Sequence, residues 1–244
     1  PGTSESLNIG LIGLLNPGIS YTLSLLGLTT TTASMSTLLW ASEPVLILGL
    51  AWLMLGEKVT LPLVTFSTIA IGGVILVGGF ATDQAAVGTM TGNLLILGGV
   101  LCCAFYTVLA RSTRTTTDPL SAVALQQTFA LLWAFAIWPL ELRSEQAVNL
   151  FQLGLVDWFW AGLSGIIYYA LAFWFYLQGL TRVSATLAGA FINLIPLFGI
   201  GGAYLFLAER LAPLQWIGAG AILLAVFAIL FWPEDATEVS SLST

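Results

Sequence analysis

Residues 27–58 of this chain are repeated, without a gap, at 179–210, and an odd number of apolar runs lies between equivalent points. Gly27, Leu28 and Thr29 answer Gly179, Leu180 and Thr181; Ala33 answers Ala185, Pro44 answers Pro196, Gly49 answers Gly201, and Glu57-Lys58 answers Glu209-Arg210. If each run crosses a bilayer, the two copies point in opposite directions across it. An inverted repeat with a proline inside a span of each half points to a binding site between the halves, near mid-membrane.

Composition makes the bilayer the expected solvent. Hydrophobic residues make up 58% of the chain and charged residues 7%, whereas a soluble domain carries roughly 25% charged residues. Crossing a hydrocarbon core takes about 20 apolar residues, and such runs fall at 7–26, 31–55, 61–80, 90–110, 120–140, 158–178, 184–208 and 213–232. They are continuous rather than alternating, which predicts helices and not barrel strands. The expected fold is an all-α membrane protein, a transmembrane bundle of about eight helices. The tail 233–244, PEDATEVSSLST, is expected to be solvated and disordered.

Basic residues in short loops set orientation. Lys58, Arg111, Arg114 and Arg182 share a side with both termini, against Arg143 and Arg210 opposite. Both termini of the chain are therefore expected in the cytoplasm, with the protein in the plasma membrane. Adjacent Cys102 and Cys103 cannot bridge without strain, and there is no third cysteine. The chain opens at Pro1 with no basic stretch ahead of its first apolar run, so a signal peptide is not expected and a fragment or processed chain is.

The first three spans match the last three, so the fourth and fifth, which open the second copy, should have counterparts opening the first. Those are missing from the sequence, and the expected complete plan is ten helices in two five-helix halves. This plan, with TTASMSTLLWASEPVLILGLAWLMLGEKV and its echo SATLAGAFINLIPLFGIGGAYLFLAERL, resembles the drug/metabolite transporter superfamily, specifically its EamA-like members. The resemblance implies that residues 1–82 are the remainder of a first EamA-like repeat and 83–232 a complete second one. It carries no information on cargo.

Glu43 is the one acid placed deep inside a span, where an ionisable side chain costs several kcal/mol unless it faces a cavity or a partner. Ionised, it would attract an amino or other cationic group; protonated, it would carry a proton or simply pack as a hydrogen-bonded neutral acid. Pro44 and Pro196 each remove an amide donor and are expected to kink their helices. Gly189, Asn193 and Pro196 share one helix face, as do Thr37, Ala41 and Pro44 on the matching helix. Carrying the repeat register backwards pairs Asn16 with Tyr168. Together with Tyr21, Trp40, Tyr106 and Gln127, these form the candidate substrate-binding set: Asn16, Tyr21, Trp40, Glu43, Tyr106, Gln127, Tyr168 and Asn193. Each of these side chains, taken singly, is equally at home in helix packing. Glu57-Lys58 and Glu209-Arg210 sit at helix ends, where a cation complements the C-terminal partial charge.

Several chemistries are not expected. A site for phosphorylated cargo would place Arg or Lys in the cavity, yet all six basic residues lie at span boundaries. Gly162-Leu163-Ser164-Gly165 mimics an intramembrane serine nucleophile, but the chain has no histidine to act as its base. The same absence, with few intramembrane carboxylates, leaves no metal site. No cofactor, nucleic-acid partner or enzymatic activity is expected. The resemblance implies a secondary transporter, an exporter of small organic metabolites such as amino acids or hydrophobic drugs, with protons as candidate coupling ion and the lipid bilayer as surroundings. The alternative is a non-transporting membrane scaffold or assembly subunit.

Overall fold

The structure is a computed structural model and describes residues 3–31, 36, 39–40, 42–78, 89–113, 117–141, 153–195, 198 and 213–231. Pro196, Thr37, Ala41, Arg114, Arg143, Glu209, Arg210, the boundary at 82 and the tail 233–244 lie outside these residues. Among the described residues every regular element is a helix, and each of the eight expected spans holds one.

Helix α1 runs through three consecutive segments, Thr3–Gly13, Leu14–Ile19 and Ser20–Leu28, the middle one a wide π-type turn. The break is at Asn16, whose φ of −144° and ψ of 120° are extended. Pro17 explains it, because the proline ring clashes with a helical backbone at the residue before it. Helix α2, Glu43–Leu55, ends on Gly56 at φ 66°, the left-handed turn that glycine takes without strain. Its Pro44 occupies the first helical turn, where the missing amide has no intrahelical partner to lose. The expected kink is therefore a fresh helix start just after the turn at Ser42.

Helix α3 is Leu61–Gly78 and α4 is Met90–Ser112. Thr89 caps α4 by accepting the Gly92 amide at 3.1 Å. Helix α5, Pro119–Glu141, begins on a proline, with the Asp118 carboxylate accepting the Leu120 amide at 3.1 Å. Helix α6 again has three segments, Leu155–Ser164, Gly165–Ala172 and Phe173–Leu180, with a π-type turn in the middle. Helix α7, Ala185–Ile192, is capped by Ser184, and α8 is Pro213–Phe231. Glu5–Leu28, Met90–Ser112, Pro119–Pro139 and Leu155–Leu180 are long and apolar enough to span a bilayer; Glu43–Leu55, Leu61–Leu76 and Trp216–Ile229 are shorter apolar helices. The fold is an all-α membrane bundle.

Glycines let the helices meet backbone to backbone. A Cβ on Gly27 would lie 2.7 Å from the Gly92 carbonyl oxygen, and one on Gly99 would lie 2.7 Å from that of Ser20, so α1 and α4 touch along two turns. Ser20 reinforces the contact by donating to the Gly99 carbonyl at 2.8 Å. Helices α3 and α8 pack through Gly73 against the Gly218 carbonyl, with Val74, Ile222 and Val226 buried beside them. Helices α2 and α7 run antiparallel: the end of α2 meets the start of α7 at Glu57 and Ala185, and Ile47 lies against Gly189. The largest core joins Ile9 and Ile12 of α1, Tyr106 of α4, Val123 of α5 and Phe173, Leu177 and Leu180 of α6.

Candidate functional site

A chamber of about 620 Å³ opens among α1, α2, α3, α4, α6 and α7. Its position follows from the local breaks just described. The extended residue in α1 turns Asn16 inward, the restart of α2 brings Trp40, Glu43 and Pro44 to the wall, and the wide turn in α6 presents Tyr168 and Ala172. Helix α4 crosses behind them and adds Cys103, Tyr106 and Thr107. Asn193 closes the α7 side, its amide held by donation to the Ala190 carbonyl at 3.2 Å.

The chamber is apolar with a few polar groups on its walls, the usual make-up of an organic-ligand site. Glu43 is 4% exposed. Cys103 of α4 lines the same wall. Thr107 and Tyr176 share a hydroxyl hydrogen bond at 2.7 Å, and the Tyr21 and Tyr168 hydroxyls pair across the gap between α1 and α6. Asn16 is the exception: its Oδ1 is buried and has no hydrogen-bond partner among the described residues. An unpaired buried amide oxygen costs roughly 1–3 kcal/mol, and here it lines a space where a donor could reach it. No group of three or more His, Cys, Asp or Glu side chains able to hold a metal occurs among the described residues.

The match to known sequences covers nearly all of this arrangement. The model of the EamA-like transporter family fits residues 1–79 and 90–231. The chain belongs to the EamA-like transporter family. One relative, the uncharacterized transporter YetK of Bacillus subtilis (strain 168), is 26% identical over 211 residues, which cover 83% of this chain and 61% of that protein. The chain thus spans 61% of that relative's length. A crystal structure superposes with a TM-score of 0.73 over 94% of this chain and 76% of its own, at 16% identity, which shows a shared fold.

Of the candidate residues picked from the sequence, this EamA chain gathers Asn16, Tyr21, Trp40, Glu43, Tyr106, Tyr168 and Asn193 around the chamber. Gln127 is not among the lining residues; it is half-buried on α5, and its Nε2 has no partner among the described residues. The neighbouring Gln126 is the glutamine that reaches Tyr106, accepting its hydroxyl at 3.2 Å. Two adjacent helical positions are turned about 100° from each other, so the tilt of α5 decides which one points inward. Sequence reasoning missed Cys103, Thr107, Phe173 and Tyr176. The first two fall one helical turn apart on the Tyr106 side of α4, a signal that was present but carried no polarity strong enough to notice. Glu57, taken from the sequence as a helix-end residue, accepts the Ala185 and Thr186 amides at 2.9 and 3.0 Å and the Thr186 hydroxyl at 2.5 Å. It thereby caps α7.

Proposed function

We propose that this chain forms the core of a secondary transporter for small organic solutes bearing an amino or other cationic group, working by alternating access between two inverted repeats. One observation carries the reading. Among the described residues Glu43 is the buried acid, and it opens onto an aromatic-walled chamber; a desolvated carboxylate with aromatic faces around it suits a cation. Asn16 and Asn193 orient the solute, Asn16 through its free carbonyl oxygen; Trp40, Tyr21, Tyr106 and Tyr168 form the walls. The open chamber favours transport over a scaffold, whose core would be sealed.

The inverted halves are residues 1–82 and 83–232, a division supported by the two stretches that fit the family and by the antiparallel contact of α2 with α7. In this reading the termini are cytoplasmic, the membrane is the plasma membrane, flux is outward, and protons exchanged at Glu43 are the coupling ion.

The test is uptake into proteoliposomes with a panel of neutral, cationic and aromatic solutes under an imposed proton gradient. Glu43→Gln keeps the shape and removes the charge, and should lower uptake of cationic solutes at least about tenfold, the loss of one charge-assisted hydrogen bond. Equal flux in the variant, with an equal response to the gradient, would remove Glu43 from the mechanism.

A further inference from the structure

A second cavity, of about 340 Å³, lies behind the chamber at the end of the bundle where α4 and α6 finish and α5 begins. Its walls include Ile12, Arg111, Gln126, Leu177 and Arg182. A hydrogen-bonded pair of side chains joins the two linings. Tyr106 belongs to the chamber and Gln126 to the outer cavity, and the Tyr106 hydroxyl donates to Gln126 Oε1 at 3.2 Å. Both residues are almost completely buried, at 1% and 2% exposure. The Tyr106 ring is held edge-on to Phe173 at 6.0 Å and stacked on Tyr176 at 6.4 Å. Ile9, Ile12, Val123 and Leu177 pack in the same core.

A Cβ on Gly13 would fall 2.4 Å from the Gln126 Cα, so the backbones of α1 and α5 are in contact beside the bond.

We infer that the outer cavity is a second station on the solute path, and that the Tyr106–Gln126 hydrogen bond is the partition between it and the chamber. Tyr106 blocks the path with its ring, and Gln126 is the positioning residue that keeps it there. This rests on the transporter reading above. The chemistry of the bond also selects what passes. Breaking it leaves a phenol hydroxyl and an amide oxygen buried and unpaired, which is costly unless something replaces the lost partner. A solute carrying its own donor and acceptor supplies that replacement; a purely apolar one does not.

Cys103 lines the chamber, and Cys102 is the other of the chain's two cysteines. In a Cys102→Ser background, Cys103 is therefore a single reporter of access to the chamber. The experiment applies a charged, membrane-impermeant methanethiosulfonate to sealed vesicles of the full chain, from one face at a time. Tyr106→Phe, which keeps the ring, and Gln126→Leu, which keeps the bulk, should each speed Cys103 modification about fivefold from the face bearing Arg111 and Arg182, in line with the worth of one hydrogen bond. The rate from the opposite face should stay within about twofold of the parent, which also shows that the variants are folded. No acceleration from the arginine face in either variant would overturn the partition, as would equal acceleration from both faces. Labelling needs no cargo, so a parent protein that fails to transport sinks the transporter reading and leaves this result standing.

Discussion

Helices α1 and α6 occupy matching places in the two repeats and share one unusual feature, a π-type turn at the same register, Leu14–Ile19 in one and Gly165–Ala172 in the other. Only α1 has a proline there, so proline alone does not account for the widening. Their surroundings differ sharply. Half of the apolar stretch of α1 is buried inside the protein, against 11% of that of α6. The glycines make the contrast sharper still. Gly10, Gly13 and Gly27 correspond in the repeat to Gly162, Gly165 and Gly179. Those on α1 are pressed against Phe129, Gln126 and Ile96, while those on α6 have no described atom within 4 Å of an added Cβ. The two helices thus share a backbone shape without sharing residues at the turn, whereas burial depends on which neighbours are there to receive it.

The strongest break of this comparison is a matched pair of substitutions. Gly13→Ala drives a methyl into the Gln126 backbone, which cannot yield as a side-chain tip would. It should destabilise the detergent-solubilised protein by about 1–3 kcal/mol or more, read as a clear fall in the midpoint of thermal unfolding. An unchanged midpoint would mean that α1 and α5 are not in backbone contact. A smaller effect is expected where the two helices meet each other. Tyr168→Phe removes the hydroxyl pair with Tyr21 and should cost about 1 kcal/mol; pairing it with Tyr21→Phe in a double-mutant cycle should show that the two losses are not additive. The smallest is Gly165→Ala, where the methyl meets open space and the helix gains from losing a glycine. Its midpoint should hold or rise slightly, by an amount equivalent to about 0.5–1 kcal/mol. A fall as large as that of Gly13→Ala would mean that the two glycines share their surroundings after all.

The sequence carried much of this because membrane solvation leaves so few options. Continuous apolar runs in a chain with 7% charged residues can only be helices, and their positions needed no knowledge of packing. Glu43 stood out because ionisable groups are scarce at that depth, and Asn16 because the repeat register pairs it with Tyr168. Other features were hidden for physical reasons. Pro17 was visible in the sequence, yet the wide turn of α6 arises with no proline to mark it. Gln126 and Gln127 are chemically identical, and only the approach of α5 to α1 at Gly13 sets which one reaches Tyr106. Cys103 was read only as a thiol unable to pair with its neighbour, and its place on the chamber wall with Glu43 depends on the crossing of α4 behind α2.

The three hydrogen bonds that Glu57 accepts from the first residues of α7 bear on how that end of the bundle can move. They converge on one carboxylate, so parting the end of α2 from the start of α7 would leave two amides and a hydroxyl at the first turn of α7 in need of new partners. This end of the bundle is tied by side-chain capping, where the α1–α4 contact is tied by glycine.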